Sequence, residues 1–130
     1  MRSHAITERA ILIAEADRVF AIFIKQRDKW TCVRCHKPSP IGSKLFTCSH
    51  FKNKRYLKVR WNPANADGLH KYCHTLWEYD KKGEYLLFKQ RQLGNVAVEL
   101  LKKEAQNTSY HITNDQLKLI ISRYKSLIGE

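Results

Sequence analysis

Two pairs of residues have the side chains and the spacing that hold a structural zinc ion. Cys32 and Cys35 are separated by two residues, and His70 and Cys73 repeat that spacing further along the chain. Each pair presents two ligands to one ion, and four such ligands complete a tetrahedral site. The sequence therefore predicts a structural zinc site at these four residues. Since the core of so short a chain is small, we expect the ion to contribute to folding.

Two other interpretations of the cysteines stay open. Cys48 could replace His70 on the zinc ion, although a free cysteine also packs well as a small apolar side chain inside a strand. Cys32 and Cys35 also have the spacing of a redox motif. That motif follows a strand in a βαβ unit, whereas here the pair follows a predicted helix, so we favour zinc.

A second set of side chains in the same region has the chemistry needed to hydrolyse a phosphodiester. Such a reaction requires an activated water and stabilisation of charge on the phosphoryl group and the leaving oxygen. His50 is the candidate general base, because a neutral imidazole accepts a proton near neutral pH. His74 is the candidate ligand of a catalytic divalent cation. Glu78 lies four residues further on, on the same face of a predicted helix, and is the candidate second ligand.

An imidazole and a carboxylate together suit Mg²⁺ or Mn²⁺ as the catalytic cation. Asn65 is predicted to orient His50, or the end of the adjacent hairpin, through side-chain hydrogen bonds. Two alternatives stay open for this position: Asn65 is only a turn former or a helix cap, or Asn62 takes its role.

The run from Asn65 to His74, NADGLHKYCH, resembles the final motif of the HNH, or ββα-metal, nucleases. In that motif an asparagine is followed by a leucine, two zinc ligands and a histidine, which match Asn65, Leu69, His70, Cys73 and His74 here. Further segments are similar to phage recombination endonucleases of the NinG/Rap type. These segments are 16–28, 49–51, 60–65 and 84–94, within a resemblance that covers roughly residues 14–105.

The resemblance implies an α+β fold in which a treble-clef, zinc-stabilised ββα-metal (HNH) core is flanked by N- and C-terminal helices. It implies a metal-dependent DNA endonuclease that acts in phage recombination or DNA processing. Three positions depart from the family pattern. Ser49 stands where many HNH enzymes carry a metal ligand, His70 where cysteine is usual, and His74 where NinG-type sequences often carry asparagine. Whether Ser49 or Glu78 completes the catalytic metal site is therefore open.

The charge balance predicts a polyanionic partner. The 130 residues include 24 Lys and Arg against 12 Asp and Glu, a formal net charge of +12, which favours nucleic acid. The candidate DNA contacts are Lys52, Lys54, Arg55, Lys58 and Arg60. An extension of this surface is predicted at Lys71, Lys81, Lys82, Lys89 and Arg91. Contacts to phosphates carry no base sequence, so we expect weak sequence specificity, with branched DNA among the candidate substrates.

Periodicity predicts the elements that must position these side chains. Apolar residues three and four apart predict a helix over 5–28, although VFAIFI at 19–24 could be a buried strand. KLFTCSHF at 44–51 and RYLKVRW at 55–61 alternate, which predicts a β-hairpin around KNKR. A helix is predicted to begin between His70 and Cys73, two more lie around Gly94, and a C-terminal helix over 114–128 has its cap at Thr113 or Asn114.

We expect a single domain over 1–130, with an N-terminal helix in 1–29, the zinc-binding core in 30–80 and C-terminal helices in 81–130. Neither a signal peptide nor a long apolar run is visible, so we expect a cytoplasmic protein, in the host cytoplasm if phage-encoded. The apolar faces of the outer helices complete the core or form a homodimer. The alternatives to an endonuclease are a non-catalytic zinc-stabilised DNA-binding protein and a zinc-stapled adaptor that binds another protein.

Overall fold

The computed structural model of the chain describes residues 6–80 and 82–130. Residues 1–5 of the predicted N-terminal helix and Lys81 of the predicted basic surface lie outside these ranges. The described residues form six helices and a two-stranded antiparallel sheet, which confirms the α+β class. The elements are α1 (Glu8–Arg27), β1 (Phe46–His50), α2 (Leu57–Arg60), β2 (Ala66–His70), α3 (Lys71–Glu78), α4 (Glu84–Leu93), α5 (Asn95–Ala105) and α6 (Asn114–Ile128).

The first and last helices pack against each other and against the sheet. Phe20 and Ile24 of α1 lie in one buried cluster with Leu117 and Tyr124 of α6. The helix prediction for 5–28 is confirmed over α1, so the alternative strand at 19–24 is wrong. The predicted cap of α6 is also confirmed, because the side chain of Thr113 accepts a hydrogen bond from the next turn.

The predicted hairpin is wrong in its second strand. β1 forms as expected, but its partner is β2, with Phe46 opposite His70 and His50 opposite Ala66. The segment RYLKVRW contains α2 instead, because Val59 packs against Leu101 and Ala105 of α5. Val59 is the buried residue of α2, and the next buried residue, Trp61, follows the helix, so the apolar alternation of this segment resembles that of a strand.

β2 is short and polar, yet it is buried, because a network of side chains neutralises its aspartate. Asp67 and Lys89 are both fully buried, and their charged groups are 3.0 Å apart. Tyr85 donates its hydroxyl hydrogen to Asp67 over 2.9 Å, and the amide of Gln92 donates to the other carboxylate oxygen over 3.2 Å. This network attaches α4 to the sheet. It also corrects the predicted role of Lys89, which is not part of a basic surface.

We expect Lys89→Met to lower the free energy of unfolding by about 3–5 kcal/mol, because it leaves the Asp67 carboxylate buried without its ammonium partner. The double variant with Asp67→Asn should recover part of that loss, since no buried charge then remains unpaired. Urea unfolding of both variants measures this. Lys103→Met, on the exposed face of α5, is the control and should change stability by less than about 0.5 kcal/mol. An equally small effect of Lys89→Met would contradict the assignment.

The C-terminal end of α1 fixes β2 through its backbone. The Arg27 guanidinium donates to the carbonyl groups of Pro63 and Ala66, each over 2.8 Å. The Asp28 carboxylate accepts the Gly68 N–H over 2.7 Å. Gly68 also permits a close approach, since an added Cβ would lie 2.7 Å from the Phe46 ring. Within the described ranges, no helix is both long enough and apolar enough to cross a membrane.

Candidate metal centre and active-site cleft

Three of the four predicted zinc ligands lie together and can hold a metal ion. The sulfur atoms of Cys32, Cys35 and Cys73 are all within 4.8 Å of one another. A tight turn positions the first two: the Cys32 N–H donates to the Lys37 carbonyl over 3.1 Å, and the Cys32 carbonyl accepts the His36 N–H over 2.8 Å. Cys73 reaches the same point from the first turn of α3. A cluster of soft thiolates is the donor set that zinc prefers.

The predicted fourth ligand, His70, lies beside this cluster. Its Nδ1 is 3.1 Å from Cys35 Sγ, and His70 is both the last residue of β2 and the cap of α3. The group of mutually close ligand atoms comprises the three thiols without His70. Cys48 is not in that group either, because it packs against the cluster of α1 and α6. Cys48 is partly exposed, and desolvation raises the pKa of its thiol to about 12.

A cleft of about 640 Å³ brings the predicted catalytic residues together. His50 at the end of β1 lines it, and so do His74 and Glu78 of α3. Lys52 and Lys54, from the loop after β1, line the same cleft. The charge of Lys54 lowers the pKa of both histidines, so both rings lie within its electrostatic reach. His50 and His74 therefore line one shared cleft.

A backbone carbonyl fixes the tautomer of His50. The Nε2 atom lies 2.9 Å from the carbonyl oxygen of Arg60. A carbonyl can only accept, so Nε2 must carry the hydrogen and the neutral ring has its lone pair on Nδ1. His50 thus has one nitrogen held by the protein and one available to take a proton, which is the arrangement that a general base needs.

Burial lowers the pKa of His50 to about 4. The ring packs on Phe20, with 5.8 Å between the ring centroids, and this apolar contact disfavours the charged form. The hydrogen bond to the Arg60 carbonyl and the charge of Asp17 act in the opposite direction, whereas Lys54 and the Arg60 side chain add to the lowering. The imidazole is therefore neutral throughout the physiological pH range.

The lowered pKa predicts a loss of stability in acid. The folded-state pKa lies below the unfolded value of about 6.5, so stability is fully present above that pH and is lost as the pH falls towards 4. Between about pH 7 and pH 5, the wild-type protein should lose about 2 kcal/mol more than His50→Asn, which lacks the titrating ring. Urea unfolding at both pH values measures this difference, and acid effects on the thiolates cancel between the two proteins. Equal losses of stability in the wild type and in His50→Asn would contradict this expectation.

His74 is held by strand β1. Its Nδ1 lies 3.0 Å from the hydroxyl oxygen of Thr47. Burial lowers the pKa of His74 below its ordinary value, and the carboxylate of Glu78 opposes that shift. Glu78 is exposed, so its carboxylate is free to approach an ion in the cleft. Ser49, the residue before His50, is buried beside them and also lines the cleft.

Asn65 is fully buried and organises the loop that follows His50. Its side-chain oxygen accepts the Lys52 N–H over 2.8 Å, and its amide donates to the Lys52 carbonyl over 2.8 Å and to the Val59 carbonyl over 3.1 Å. Asn62 instead caps the short 3₁₀ turn that follows it. The side chain of Asn65 therefore holds the loop after β1 through backbone groups, and that of Asn62 has a local role.

The predicted DNA contacts differ in whether their charged groups are already paired with other groups of the protein. Lys52 and Lys54 line the cleft, with the Lys54 ammonium 3.8 Å from the Asp17 carboxylate, and Arg55 and Lys58 are exposed. Arg60 is bound by its neighbours: its guanidinium donates to Asp17 over 2.7 Å and to the Lys54 carbonyl over 3.1 Å. Arg60 therefore stabilises the junction of α1 and α2, and a phosphate would have to compete with Asp17 for it.

The residues that pack beneath the cleft-lining side chains or bond to them were not singled out from the sequence. Thr47 contacts His74, Trp77 stacks on Tyr85 with ring centroids 4.2 Å apart, and Tyr85 bonds to the buried Asp67. Only Tyr85 carried a signal, as part of the family resemblance. The others have common residue types whose roles depend on the pairing of β1 with β2.

In comparisons with known proteins, no family model, no curated protein and no solved structure matches this chain.

Proposed function

We propose that the protein is a zinc-stabilised, divalent-metal-dependent DNA endonuclease of HNH type. The observation that carries the proposal is that His50 and His74 line one cleft beside basic residues and next to a thiol cluster. A general base, a cation ligand and phosphate-binding charges are the groups that phosphodiester hydrolysis requires.

The proposed zinc ion joins the Cys32–Cys35 turn to the start of α3. The order of elements supports a treble-clef, ββα-metal arrangement: a turn with two thiols, two antiparallel strands, and a helix whose first turn supplies Cys73. His70 is the proposed fourth ligand, because its ring already contacts Cys35. The ion stabilises the position of α3 against the sheet, and His74 follows Cys73 directly.

The residues at the cleft fit a catalytic Mg²⁺ or Mn²⁺ ion. His74 offers an imidazole nitrogen and Glu78 a carboxylate, and this small set leaves coordination positions for water and a phosphate oxygen. When bound, the cation neutralises charge on the phosphate and on the leaving oxygen. His50 takes the proton of the attacking water on Nδ1, while the Arg60 carbonyl keeps the ring in place. A bound phosphate would raise the pKa of His50, and the cation would lower it.

Lys52 and Lys54 are proposed to hold the DNA backbone on either side of the scissile bond. Replacing both by glutamine should weaken binding and reduce the slope of log affinity against log salt by about 2, because each lost phosphate contact contributes about 0.9. Fluorescence anisotropy over a salt series measures this slope. Lys118→Gln, on α6 beside Glu8, is the control. A slope that is unchanged by the double replacement would place the DNA elsewhere.

Supercoiled plasmid incubated with the zinc-loaded protein and Mg²⁺ or Mn²⁺ tests the proposal. An endonuclease converts the plasmid to nicked circles, and the activity disappears when the divalent cation is withheld. A protein that shifts the plasmid in a gel without cutting it is instead a DNA-binding protein. A protein that does neither is better explained as an adaptor, and either result would overturn the proposed activity.

A further inference from the structure

Thr47 is the residue in the described structure that contacts His74 Nδ1 directly. It is the second residue of β1, opposite Leu69 of β2. Its hydroxyl oxygen is 3.0 Å from His74 Nδ1 and 2.9 Å from the carbonyl oxygen of Leu69. Leu69 is fully buried, so water has little access to replace the bond to its carbonyl.

The positions of the hydrogens follow from these two distances. The Leu69 carbonyl can only accept, and two oxygen atoms 2.9 Å apart repel each other unless a hydrogen lies between them. The Thr47 hydroxyl therefore donates to Leu69. Its remaining lone pair faces His74 Nδ1, which must then carry a hydrogen to make the second bond. The neutral ring is left with its lone pair on Nε2.

We propose that Thr47 is a positioning residue that sets the tautomer of His74, so that Nε2 is available as a ligand for a divalent cation. The inference rests on the proposed function only in taking His74 as that ligand. Hydrogen bonding of the second ring nitrogen is a common way to orient a metal-binding histidine and raise its basicity. The Thr47 hydroxyl thus connects the paired strands β1 and β2 to the proposed cation ligand His74.

Two variants isolate the hydroxyl. Thr47→Val keeps the shape of the side chain and removes the hydrogen bonds, whereas Thr47→Ser keeps the hydroxyl. We expect Thr47→Val to lower Mn²⁺ affinity at the cleft by about 10–100-fold, with Thr47→Ser close to wild type. Isothermal titration of Mn²⁺ into the zinc-loaded proteins measures this. In nicking assays, Thr47→Val should need a higher Mn²⁺ concentration for half-maximal activity than the wild type. At saturating Mn²⁺ its rate should return to the wild-type rate.

The tautomer itself can be measured without a catalytic cation and without an activity assay. Long-range ¹H–¹⁵N correlation spectra at mildly alkaline pH identify which nitrogen of His74 carries the hydrogen. We expect Nδ1 in the wild-type protein and in Thr47→Ser, and a shift towards Nε2 in Thr47→Val. A hydrogen on Nε2 in the wild type, or equal Mn²⁺ affinity in the two variants, would overturn the inference. If the expected spectra and affinities accompany a protein that does not cut DNA, the role of Thr47 stands and the proposed endonuclease activity fails.

Discussion

His50→Ala is expected to lower the rate of plasmid nicking by about 10²–10⁴-fold, the range typical for loss of a general base. The nitrogen that would accept the proton is removed, whereas the proposed cation ligands and the lysines of the cleft remain. DNA affinity should therefore change little, and single-turnover nicking together with anisotropy separates the two effects. The variant also loses a half-buried ring that packs on Phe20, so a thermal melt must accompany the assay.

His111→Ala is the matched control for the loss of a histidine. His111 is exposed in the segment before α6 and is not among the residues that line the cleft. We expect its nicking rate to equal that of the wild type. If folded His50→Ala cuts plasmid as fast as His111→Ala does, another group activates the water and the assignment of the general base is wrong.

Removal of zinc is expected to unfold the protein. A structural zinc site contributes about 10–16 kcal/mol of apparent binding free energy, which equals or exceeds the total stability of most small domains at about 5–15 kcal/mol. Without the ion, three thiols within 4.8 Å remain with no common partner, and the attachment of α3 to the Cys32–Cys35 turn is lost. Circular dichroism during titration with a strong zinc chelator should show loss of helix, which returns when zinc is added back.

Cysteine variants distinguish a specific site from general thiol chemistry. Cys32→Ser should reproduce the unfolding, because it removes a buried ligand. Cys48→Ser should keep both zinc and fold, because Cys48 packs against α1 and α6 away from the thiol cluster. A protein that retains its melting temperature after elemental analysis shows no zinc would refute the structural role of the metal.

The sequence predicts the helices well, because their signals are local. The apolar spacing of α1, the cap at Thr113 and the break at Gly94 all lie within the elements that they define. The Cys32–Cys35 pair and Cys73 were also predictable, since the chemistry of zinc fixes the ligand types and their spacing.

The second strand was not predictable by the same means. β2 contains aspartate and glycine, which disfavour strands, and it forms because Lys89, Tyr85 and Arg27 from distant helices satisfy its polar groups. The run RYLKVRW after His50 has a more strand-like sequence, but it contains the short helix α2, which packs against α5. The contact of Thr47 with His74 depends on this strand pairing, so it was also invisible in the sequence.

In the proposed enzyme, a zinc ion fixes α3 against the sheet, so that the general base His50 and the cation ligand His74 line one cleft. The most direct test is a crystal structure of the zinc-loaded protein soaked in Mn²⁺, with anomalous data collected above the zinc and manganese absorption edges. We predict a zinc peak among Cys32, Cys35 and Cys73, and a manganese peak next to His74 Nε2 in the cleft that His50 lines. A manganese peak elsewhere, or no ordered manganese in that cleft, would contradict the account.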